Sequence, residues 1–163
     1  MSHFHRGLSH SPELLEVLSS LARDPLASHD MPMNVSHVNI GELNAGRPVD
    51  RWHTDSTDYV LVVMLSDVQD MEGGDLRVLQ MPDARATVNS DSDPAATESL
   101  LAKLGREGVP EHLIETVRYS GAGYGIFMQG SKILHCVSEV IRAREPRMSL
   151  VTSYMTRRVL AQP

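Results

Sequence analysis

The chain has 163 residues, with 15 Lys+Arg against 21 Asp+Glu, a formal net charge of −6, a single cysteine and seven aromatic residues. That length suits one domain, 1–163, large enough for a hydrophobic core without staples, and not two independent ones. One cysteine excludes an internal disulfide and zinc-finger chemistry, and scattered acidic charge excludes the basic face of a nucleic-acid binder or any attraction to an anionic membrane.

No run of 18 apolar residues occurs, and the sequence opening Met1-Ser2-His3-Phe4-His5-Arg6 lacks an apolar leader core, so the expectation is a soluble, cytoplasmic protein. Residues 1–11 hold three of the eight histidines without periodicity and read as a mobile arm. Ser11-Pro12 then opens a helix, with Ser11 as N-cap, Pro12 in the first turn, and Leu14, Leu15, Val17, Leu18 and Leu21 as its apolar stripe before Asp24-Pro25.

Beyond Met31-Pro32 the pattern becomes extended over residues 35–40, and a turn at 44–48 closes it. Residues 59–65 form a continuous apolar run, the mark of a buried core strand. The turn Glu72-Gly73-Gly74-Asp75 leads to a strand at 76–79, expected to pair antiparallel with 59–65. Residues 82–116 read as an insertion and candidate lid: a polar stretch over 82–98, a helix over 97–105 and a helical turn over 110–115. Strand patterns resume at 117–119, 125–128, 133–140 and 148–154. Eight or so short strands with one N-terminal and one inserted helix predict a mainly β sandwich or jelly roll.

The chemistry gathers in three places. His53 and Asp55, two apart in an extended segment, point to one face roughly 6.5–7 Å apart and can share a metal ion. His135 lies in an apolar strand 80 residues later, completing a set of two imidazoles and one carboxylate that leaves three adjacent coordination positions open, the arrangement of non-haem Fe(II) oxygenases. Arg147 and Ser149 share one face of the last strand and can receive a carboxylate between guanidinium and hydroxyl. Trp52, Tyr59 and Met64 are weaker candidates for lining a substrate pocket, with Tyr154 a further candidate near the carboxylate; Cys136 should face away from the metal, and His37 reads as packing or surface.

In order and spacing, Trp52-His53-Thr54-Asp55, the apolar strand, Glu72-Gly73-Gly74-Asp75-Leu76, Gly123-Tyr124-Gly125-Ile126-Phe127, His135-Cys136-Val137-Ser138-Glu139-Val140 and Arg147-Met148-Ser149 resemble the Fe(II)/2-oxoglutarate-dependent dioxygenase superfamily over roughly residues 35–156. The Glu-Gly-Gly segment is similar to its prolyl-hydroxylase-like branch, although Met64-Leu65-Ser66 replaces that branch's Tyr-Leu-Asn and argues against a prolyl substrate. The resemblance implies a double-stranded β-helix (cupin-like jelly-roll) core, Fe(II) on His53, Asp55 and His135, and the distal carboxylate of 2-oxoglutarate on Arg147 and Ser149. It implies O2-dependent hydroxylation of an unactivated C–H bond in a small-molecule or amino-acid-type substrate, with succinate and CO2 as co-products. Asp55 speaks against the halogenase variant, which needs that position vacated for chloride, and the seven aromatics give flipped bases little to stack on. Two alternatives stay open: a β-helix binding module without catalysis, and a cupin-like iron enzyme that does not use 2-oxoglutarate.

Overall fold

The computed structural model describes residues 7–29, 35–80 and 108–157. The first six residues, the polar stretch 82–98 and the helix expected over 97–105 lie outside these. Among the described residues no helix is long and apolar enough to cross a membrane.

Ser11 caps helix α1 (Pro12–Ala22): its Oγ accepts from the Leu14 N–H at 3.2 Å, and Arg23 ends the helix in the left-handed conformation at φ 55°. The helix docks through Leu14, Leu15, Leu18 and Ala22, which leaves Val17 and Leu21, the flank of the expected stripe, exposed. The expectation of a mobile arm is not met from residue 7 onward. Residues 7–9 are helical, Ser9 is buried, and the Ser28 hydroxyl donates to its carbonyl, so the segment from 7 onward is part of the fold.

The rest is mainly β, with antiparallel pairing in a sandwich of jelly-roll type. In chain order the strands are β1 (Leu26–Ser28), β2 (Ser36–Gly41), β3 (Asp50–His53), β4 (Tyr59–Met64), β5 (Glu72–Gly73), β6 (Leu76–Leu79), β7 (Ile114–Val117), β8 (Gly125–Met128), β9 (His135–Val137), β10 (Val140–Arg142) and β11 (Arg147–Thr156). The major sheet runs β1-β11-β4-β8, with β2 also on β11; the minor sheet runs β3-β9-β6-β7, and β5 pairs with β10.

Three readings change here. Strands β4 and β6 are not neighbours but belong to opposite sheets, because β6 takes β7 and β9 as partners. The stretch 133–140 breaks into β9 and β10, which pair with different sheets. Over 110–115 only Glu111–Leu113 is helical, a single 3₁₀ turn, and Ile114 already begins β7.

The layers explain the unbroken apolar run of β4. Leu61 joins Leu18, Leu26 and Tyr154 beneath α1, while Val60 turns the other way and packs with Leu76 and Met128 between the sheets. A strand buried on both faces has no reason to alternate polar residues. On β11 the same alternation sends Tyr154 toward the helix and Arg147, Ser149 and Val151 into the space between the sheets.

Candidate metal and anion site

His53 and His135 are direct cross-strand partners in the β3–β9 pair, so their side chains stand side by side, with ring centroids 4.3 Å apart. Each ring is held in the same way: Nδ1 donates to the carbonyl two residues earlier, Arg51 O at 2.7 Å for His53 and Ile133 O at 2.8 Å for His135. That bond leaves both Nε2 atoms to face Asp55, at 3.4 Å from Oδ1 and 3.8 Å from Oδ2. Backbone carbonyls orienting imidazoles from behind are the support that metal-binding histidines require.

Asp55 reaches this point differently from the sequence expectation. The strand ends at His53, and the carboxylate is brought round by a turn anchored through Asp55 N–H to Gly130 O at 3.0 Å. Any side chain on the buried Gly130 would overlap the Asp55 carboxylate, so this glycine makes the cradle in which the group sits.

The donor atoms of His53, Asp55 and His135 all lie within 4.8 Å of one another, and the group can hold a metal ion. Donors on one ion at about 2.1 Å stand about 3 Å apart, a small side-chain rotation from the 3.4 and 3.8 Å contacts. Asp55 Oδ2 is buried without a hydrogen-bond partner, an expense that a cation would remove. Asp55 also raises the His53 pKa to about 9, chiefly by accepting a hydrogen bond from it, whereas burial lowers that of His135. One imidazole is thus neutral and ready to ligate; the other holds a proton that a metal must displace.

The same cavity, about 140 Å³, also takes in Arg147 and Ser149. Arg147 is 1% exposed; its Nε donates to Gly74 O at 2.9 Å and its Nη1 to Ser149 Oγ at 3.1 Å. Its Cζ lies 5.7 Å from the centre of the Tyr119 ring, whose hydroxyl it also meets. Gly74 makes room for it, since a Cβ there would press on Arg147 Cδ at 2.9 Å. Arg142 and Arg144, the arginines just before Arg147 in sequence, are exposed and paired with Glu72 and Asp70. No carboxylate of the described residues comes within ion-pair distance of Arg147.

The weaker candidates part company with this cavity. Trp52 faces the outer side of the minor sheet with Cys136, whose thiol is pushed up to about 11 by burial. Tyr59 stacks on Phe127 under the helix at 5.3 Å, and Met64 borders the neighbouring cavity beside Gly74. In each case strand alternation, or one step along the strand, carries the side chain past the site. His37, read as packing or surface, borders the metal cavity from β2 together with Asn39. Nothing in the local pattern of the sequence marks Asp50 or Gly130. For Tyr119 the available signal was its spacing of two from Val117, which also faces the interior.

No protein-family description matches the chain, and no curated protein matches it in sequence. Among solved structures, the crystal structure of a bsmA homolog from Methylobium petroleophilum PM1 is similar, with a TM-score of 0.49 and 13% identity, covering 96% of this chain and 54% of that one. The chain therefore spans about half the length of that protein.

Proposed function

We propose that this protein is a non-haem Fe(II)- and 2-oxoglutarate-dependent oxygenase that hydroxylates an unactivated C–H bond of a small or medium-sized substrate. The observation that carries the reading is Arg147: a buried guanidinium with no carboxylate partner among the described residues, facing the same small cavity as the His-Asp-His group. A buried cation without an anion is costly, and a bound carboxylate would supply the missing charge in the forked geometry that a guanidinium prefers.

His53, Asp55 and His135 would hold the iron, three protein donors that do not by themselves complete its coordination. Bound there, ferrous iron supplies the oxidising chemistry, and the cosubstrate ends as succinate and CO2. Arg147 and Ser149 fix the distal carboxylate, with Tyr119 bracing the guanidinium. Val60, Val62 and Val151 line the same cavity and exclude water from the cosubstrate's methylenes. A cupin-like iron enzyme without 2-oxoglutarate would have no use for a buried carboxylate clamp.

Anaerobic addition of Fe(II) and then 2-oxoglutarate tests the reading. A weak visible metal-to-ligand charge-transfer band is expected for wild type and none for Asp55→Ala; for Arg147→Met the band should need at least tenfold more 2-oxoglutarate. Iron binding with no band at any cosubstrate concentration would overturn it.

A further inference from the structure

We infer that Asp50 is a substrate-recognition residue of this site and that the substrate it selects carries a protonated amine. The inference rests on the oxygenase reading and goes beyond it. Simple alternation would place Asp50, three residues before His53, on the opposite face of β3. The strand carries a bulge instead: Asp50 pairs with Val137 and His53 with His135, three residues against two. The extra residue turns Asp50 back into the metal cavity and sends both Arg51 and Trp52 to the outer face.

Asp50 has His53 as its one ion-pair neighbour among the described residues. Its nearest partner, His53 Nδ1, is 3.8 Å away and already gives its proton to the Arg51 carbonyl. No lysine or arginine of the described residues lies within ion-pair distance of it.

Its place in the fold says what passes by. A cavity of about 140 Å³ has room for about five waters at their share of liquid volume, less than 2-oxoglutarate and a substrate together need, so a substrate must extend beyond it. Asp50 also lines two further cavities, of about 260 and 550 Å³. The wall there is formed by β2 and β3, each paired on one side only, to β11 and β9, among the described residues. A carboxylate standing here attracts an ammonium group by a charge-assisted hydrogen bond and repels a substrate carboxylate.

The test is calorimetric titration of 1,5-diaminopentane, and of the uncharged 1,5-pentanediol, into the anaerobic Fe(II)–2-oxoglutarate complex of wild type, D50N and D50E, with the charge-transfer band recorded alongside. Wild type should bind the diamine at least about tenfold more tightly than the diol, D50N should bind the two alike, and D50E should recover part of the preference. Equal binding by wild type, or a preference surviving in D50N, overturns the inference and leaves the oxygenase reading intact. A band present in wild type and lost in D50N makes Asp50 a positioning residue for His53 and also overturns it. No band in wild type removes the oxygenase reading and this inference with it.

Discussion

The two sheets of this protein are built to different standards of regularity, and the site depends on the difference. In the major sheet, β11 stays in unbroken register with β4 from Ser149 to Tyr154 and with β2 from Arg147 to Thr152. That regularity lets the sheet hold a guanidinium in the dry interior, since each neighbour's position is fixed. The minor sheet is short and bulged: β9 has three residues, and β3 slips by one between Asp50 and His53. Irregularity leaves the carbonyls of Arg51 and Ile133 free to hold the histidine rings, which a complete ladder would not allow. A long sheet thus presents Arg147 and Ser149, and a broken one the His-Asp-His group that can hold a metal ion.

The contrast predicts different costs on the two sides. Leu150→Ala, in the regular sheet at 1% exposure, should destabilise the protein by about 2–5 kcal/mol in urea unfolding while leaving metal affinity of the folded protein nearly unchanged. Gly130→Ala, on the loop that serves the minor sheet, should do the reverse: Asp55 must swing away, and affinity for a divalent ion such as Co(II) should fall about 10- to 100-fold, as read by its absorption spectrum, at modest cost in stability. A regular sheet indifferent to Leu150, or a cradle indifferent to Gly130, would break the distinction.

The smallest expected effect follows from His53. Its folded pKa of about 9 stands above the ordinary 6.5, chiefly through the Asp55 hydrogen bond, so the metal-free protein gains stability that is fully present below pH 6.5 and lost as pH rises through about 9. Urea midpoints of metal-free protein between pH 6 and 10 should decline over that window, and Asp55→Asn should flatten the decline. Divalent-metal affinity should move the opposite way, rising over the same window because the ion displaces that proton.

The sequence by itself determined much of this. The N-cap and proline of α1, the apolar period of β4 and the alternation of Arg147 with Ser149 are local features, set by hydrogen-bonding groups and side-chain direction within a few residues. His53, Asp55 and His135 were legible only as a set, through the order and spacing of the motifs around them and the family they resemble. What the sequence could not set was anything requiring a second strand: that His53 and His135 are register partners, that β4 and β6 lie in opposite sheets, that Gly130 makes room for Asp55, and that Tyr119 meets Arg147. Trp52, Tyr59 and Met64 lie outside the metal cavity for the same reason. Sequence neighbours of a site alternate across a pleated sheet, and only pairing decides which face encloses the cavity. Asp50 is the sharpest case, because a one-residue bulge, invisible in the alternation of residues 50–53, reverses the face on which its carboxylate lies.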